Sequence, residues 1–80
     1  MSLRIITRPE QIVRWITDRQ GAPARKRGTD ADLKVVFGHD DGDYERLSTD
    51  DLFQRMRFHH LVMLVEQEPG QTYHRFIQHA

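Results

Sequence analysis

The chain contains no cysteine. Disulfides, thiolate metal sites and cysteine nucleophiles are therefore excluded, and the absence of disulfides favours a cytoplasmic setting. Long apolar runs are missing too. The longest, Leu61 to Val65, is far too short to span a bilayer as a helix. The first eight residues hold one apolar pair, Ile5 and Ile6, and no apolar core of signal-peptide length. Net charge is also absent, since twelve basic residues balance twelve acidic ones. Nothing in that balance steers the whole molecule towards nucleic acid or an anionic membrane. No phosphate-binding loop, dinucleotide fingerprint or nucleophile elbow is present, so no cofactor is expected.

What the chain does have is enough apolar residue (38%, beside 30% charged) for one folded domain over residues 1–80. Ile12, Val13 and Ile16 make an apolar stripe at helical spacing after Pro9, with Trp15 on its flank. Thr7 and Glu10 have the spacing of a capping box, and Gly21 and Pro23 suit the helix end. A basic segment, Ala24 to Gly28, reads as an edge strand. Leu33 to Phe37 alternates like a strand, and residues 38–43 read as a loop. Ser48 and Asp51 then announce a second helix, with Leu47 and Leu52 placed as a hydrophobic staple. Leu52, Phe53 and Met56 give that helix its buried stripe, and it should end near His59 and His60. Leu61 to Val65 reads as a central strand. Pro69 and Gly70 make a tight turn, and Thr72 to Gln78 closes the domain. The expected order is α-β-β-α-β-β: an α+β fold with one four-stranded mixed or antiparallel sheet and both helices on one face. No internal repeat is visible.

Several of these residues carry a resemblance. The segments Ile12-Val13-Arg14-Trp15, Gln20-Gly21-Ala22-Pro23-Ala24-Arg25 and Gly28-Thr29 resemble a small family of bacterial proteins of about this length. Its members read "I-x-x-W…R-G-G-x-P-A…G-T". Leu33 to Phe37, Glu45 to Phe53 and Leu61 to Glu68 follow the same family's later blocks. Gln20 stands where the pattern has its first Gly, Thr49 stands where it has Trp, and the strand near Val65 lacks its Tyr. Some members bear the label "1,4-alpha-glucan branching enzyme". Glycosyl transfer of that kind needs paired carboxylates across a sugar cleft on a barrel of roughly 250 residues. A chain of 80 residues has no room for it.

No constellation outside the resemblance argues for chemistry. His59 and His60 are adjacent, so on a helix they point about 100° apart and do not chelate one metal. A helix C-terminus, where imidazolium suits the dipole, accounts for them. His39, Asp40, Asp41 and Asp43 make an acidic loop without the Gly and closing Glu of a calcium loop. Ser48 belongs to its cap. The expectation is a non-enzymatic domain that binds a protein partner or a second copy of itself. The alternative is weak nucleic-acid or anion binding through a basic edge strand and the first helix. The candidate patch is Arg14, Trp15, Arg19, Arg25, Lys26 and Arg27, in which Trp15 is either core or an exposed anchor.

Overall fold

A computed structural model describes residues 2–38 and 42–79. His39, Asp40 and Asp41 of the acidic loop lie outside the described residues. Eight elements follow one another: β1 (Leu3–Ile6), α1 (Pro9–Asp18), β2 (Gly21–Lys26), β3 (Leu33–Phe37), β4 (Tyr44–Arg46), α2 (Thr49–Phe58), β5 (Leu61–Glu66) and β6 (His74–Gln78). The class is α+β, as expected. The single four-stranded sheet is not formed. Two antiparallel three-stranded sheets take its place, ordered β1-β5-β6 and β3-β2-β4. The difference comes from two strands too short or too polar to announce themselves. β1 has one alternating cycle of apolar residues. β4 is Tyr-Glu-Arg and becomes a strand through its partner, with Arg25 opposite Glu45 and Lys26 opposite Tyr44.

Those two strands change the rest. With β4 on one side and β3 on the other, the basic strand β2 is central, not an edge. Pro23 sits inside it at little cost. Val35, its partner across β3, turns its N–H away from β2, and Pro23 offers only its carbonyl towards the chain leaving β4, where the Leu47 N–H donates to it at 2.9 Å. Its ring nitrogen faces the same way, so the one bond it forgoes lies just past the last pair of the β2–β4 ladder, Ala24 with Arg46. Strand β5 is central in the other sheet, as its apolar run suggested.

The helices begin differently. At α2, the Asp51 N–H donates to Ser48 Oγ at 3.1 Å, the expected cap. At α1 the expected Thr7–Glu10 box does not form. Arg8 is the N-cap with no side-chain bond, so Pro9 takes N1 and Gln11 takes the position a box needs for Glu. Nor does Gly21 turn the chain out of α1. Gln20 does so at φ 57°, and Gly21 is already in β2. Glycine is needed there for space: a Cβ would lie 2.5 Å from Val35 Cγ1 and 2.8 Å from Phe37 Cε1.

The elements repeat. β1-α1-β2-β3 and β4-α2-β5-β6 have one order. Both helices are ten residues long, both central strands are six, and Pro9, Gln20 and Gly21 stand forty residues before Thr49, His60 and Leu61. The halves exchange their first strands, since β1 pairs with β5 and β4 with β2. An internal repeat of structure is therefore present where the sequence shows none, because no residue from Ser2 to Gly38 is identical to the one forty places on. What survives is the pattern of burial. Ile12 and Ile16 of α1, Leu52 and Met56 of α2, and Ile6, Leu33, Val35, Met63 and Val65 of the strands form one core.

Candidate functional site

Each half carries a groove beside its helix, and the two grooves use equivalent positions. The first is lined by Arg4 and Ile6 of β1, by Gln11, Arg14, Trp15, Asp18 and Arg19 around α1, and by Val65 and Gln67; its volume is about 310 Å³. The second, about 270 Å³, is lined by Asp51, Gln54, Arg55 and Phe58 of α2 and by Asp30 of the β2–β3 turn. Gln11, Arg14, Trp15 and Asp18 thus answer to Asp51, Gln54, Arg55 and Phe58.

The last turn of each helix holds the hairpin turn of the other half. Arg19 lies over the Trp15 ring at 4.4 Å and donates to the carbonyls of Glu66, Gln67 and Glu68 at 3.2, 3.3 and 2.9 Å. The Trp15 Nε1–H donates to the Glu66 carbonyl at 2.8 Å. In the other half, Arg55 and His59 Nε2 both meet the Asp30 carboxylate, the latter at 2.7 Å. The His59 hydrogen bond, helped by the Arg55 charge, holds the Asp30 carboxyl below its ordinary value. The second groove is therefore closed electrostatically from within. In the first, Arg19 is saturated by carbonyls, while Arg4 and Arg14 are exposed and form no ion pair among the described residues, though Asp18 lines the same groove.

The patch expected from sequence divides. Trp15 is core, 6% exposed, and not a surface anchor. Arg14 and Arg19 line the first groove. Arg25 lies in β2 of the other sheet and Arg27 just past it, and both pair with Glu45, at 2.6 and 3.4 Å. Arg25, by its hydrogen bond and its charge, lowers the Glu45 carboxyl. Arg27 also donates to the Gly42 carbonyl at 2.9 Å. Lys26 alone of that run is exposed with no partner among the described residues. The basic strand is thus central and largely neutralised. Arg4, Gln11 and Gln67 were missed. The alternation of Leu3 and Ile5 with Arg4 and Ile6 was the available signal for Arg4.

The two sheets differ in their outer faces. Over β3-β2-β4, Lys34 lies on the Tyr44 ring at 4.2 Å beside Ala24, Val36 and Arg46. Over β1-β5-β6 the registers put Leu3 opposite Glu66 and Ile5 opposite Leu64, with Val62 next along β5 and Tyr73, Arg75 and Ile77 beyond them; the Glu66 carboxylate is buried there on the Ser2 N–H. Leu3, Ile5 and Tyr73 are 44%, 51% and 50% exposed. Both helices pack on the opposite side of this sheet, where Ile6, Met63 and Val65 enter the core.

His74 joins the sheets. The Val35 N–H donates to its Nε2 at 2.8 Å, and its Nδ1 lies 2.8 Å from the Thr72 carbonyl. These partners fix the neutral tautomer protonated at Nδ1. Trp15, Phe37 and Phe76 surround the ring edge-on within 6.1 Å. Burial, with the Lys34 charge, pushes its pKa below 6.5 against the opposing pull of the Thr72 carbonyl.

Among the described residues no group of three His, Asp or Glu side chains is placed to hold a metal, and no helix is long and apolar enough to cross a membrane. No protein-family model, curated protein or solved structure matches the chain.

Proposed function

We propose that this domain acts in the cytoplasm as a non-enzymatic binding module whose partner is a protein, met on the outer face of the β1-β5-β6 sheet. One observation carries the reading: Leu3, Ile5 and Tyr73 lie exposed around Val62, Leu64, Ile77 and the buried Glu66 on a sheet face that neither helix covers. Contiguous apolar surface of this kind is uncommon on monomers outside interaction sites. Arg75 on the same face adds the cation-and-aromatic composition typical of interfaces. The similarity to the small bacterial family fits this reading. Trp15, Pro23 and Ser48, which carry it, act here in packing, strand pairing and capping. They speak to a shared architecture and give no support to glycosyl chemistry.

A photo-crosslinking residue placed at Ile5 or Tyr73 of the intact chain tests the reading, with the same residue at Lys26 and Gln54 as controls. Discrete adducts are expected from the first pair only. Light scattering over a wide concentration range then tells a second copy from a foreign partner. Adducts no different from those of the controls sink the proposal.

A further inference from the structure

We infer that the groove between β1 and α1 is a receptor site for the carboxylates of an acidic polypeptide segment, with Arg4 and Arg14 as its cationic contacts. The inference rests on the domain being a binding module but not on the apolar sheet face.

The two grooves differ in what fills them. Beside α2 a carboxylate is already seated: Asp30, delivered by the hairpin turn of the other half, lies against Arg55 and His59, whose equivalents beside α1 are Trp15 and Arg19. The corresponding turn beside α1 meets Arg19 with its carbonyl oxygens. Among the described lining residues of this groove, Asp18 is the one acid. Two guanidinium groups are left over in a concave site lined also by Ile6, Val65 and Trp15. Guanidinium presents paired donors that match a carboxylate, and exposed guanidinium groups that form no ion pair keep that capacity free.

The remaining lining selects among anions. Gln11 and Gln67 add amide groups suited to a peptide backbone. Asp18 faces the same groove, one helical turn beyond Arg14, and offsets part of the positive field. Two free cations opposed by one acid do not suit a phosphodiester backbone, whose binding draws on many phosphate contacts at once. They suit separate carboxylates spaced along a chain. The apolar lining would meet the methylenes of Glu side chains.

Trp15 is the only tryptophan and lines the groove, so its emission reports occupancy. The probe is a capped peptide of six glutamates, titrated into the full chain at low salt, with the six-glutamine peptide as the uncharged control. Saturable change in Trp15 emission is expected with hexaglutamate alone. Backbone amide shifts should centre on Arg4, Gln11, Arg14 and Gln67. Arg4→Gln and Arg14→Gln should each weaken binding about tenfold, the scale of one charge-assisted hydrogen bond. Arg57→Gln, on α2, should leave it unchanged. All three residues are exposed, and unchanged thermal melts will certify the fold of each variant. The inference is overturned by failure to saturate, by shifts centred elsewhere, or by binding that survives both groove variants. Two further arms decide the class of anion. Inorganic phosphate binding as tightly as hexaglutamate makes this a bare-anion site and overturns the peptide assignment; tighter binding of an oligothymidylate does the same in favour of nucleic acid. A failed titration here leaves the Ile5 and Tyr73 crosslinks free to succeed.

Discussion

The two halves of this chain share a backbone plan and almost no chemistry. Residues 1–40 hold eight basic and five acidic side chains, and residues 41–80 hold four and seven. The zero net charge hides that imbalance. On α1 an indole sits where α2 has a guanidinium. Trp15 satisfies its single donor with the Glu66 carbonyl, whereas Arg55 reaches Asp30 but keeps a buried Nε without a partner. One half therefore uses its helix to seal a groove with an internal ion pair, and the other keeps cations in reserve. The shared part is apolar position, which builds the core. The divergent part is polar identity, which decides what each groove can receive.

The comparison is broken most forcefully at the core. Ile12 and Leu52 occupy equivalent places, 1% and 0% exposed. Ile12→Ala and Leu52→Ala should each cost about 2–5 kcal/mol, a large share of what a small domain has to lose. Urea unfolding followed at Trp15 measures both. If the halves are equal partners in one core, the two losses are alike and unfolding stays a single transition. A large loss at one position and almost none at the other would show that one half folds on the support of its neighbour.

A smaller effect sits where the halves meet. His74 of the second half accepts the Val35 N–H of the first, and this needs a neutral ring. Its folded pKa is depressed below 6.5 by burial. The unfolded chain therefore takes up the proton first as pH falls. The stabilisation is fully present above about pH 6.5 and is lost as pH drops from there through the folded pKa. Unfolding midpoints should be lower at pH 5 than at pH 7.5. His74→Phe should lower the midpoint at pH 7.5, by orphaning the Val35 donor, and flatten the slope below pH 6.5. An unchanged slope in that variant would assign the pH dependence to other histidines.

Much of the architecture was legible because it rests on local signals. The stripes of Ile12 and Ile16 and of Leu52 and Met56 give the helices, Ser48 gives a cap, and the run from Leu61 to Val65 gives a central strand. What stayed hidden depends on residues distant in sequence. Three residues, Tyr44 to Arg46, become a strand only because β2 lies beside them, and without them β2 reads as an edge. The repeat is invisible because conserved burial does not require conserved residues. Trp15 and Arg14 were recognised as notable, but their separation into core and rim follows from the turn of α1 against β1. Arg4 went unnoticed in a segment too short to declare a period. His74 resembles any strand histidine until the edge of β3 is placed against it.

The smallest difference concerns the turn after each helix. Gln20 and His60, forty residues apart, both adopt positive φ, 57° and 55°. This left-handed conformation closes a helix well but crowds any side chain bearing a Cβ. Both residues are exposed, so neither side chain offsets the crowding by burial. Glycine removes the crowding but gains freedom when unfolded, and the two effects oppose. At an established left-handed helix end the first prevails, so Gln20→Gly and His60→Gly should each stabilise by about 0.5–1 kcal/mol. Thermal melts of the two single variants and the double variant measure this. The sites belong to different helices, so the gains should add. Equal gains would confirm that the repeat reaches down to backbone strain. A gain at Gln20 with a loss at His60 would mean that the His60 ring contributes something its exposed position does not reveal, and would set the halves apart in their turns as well as in their grooves.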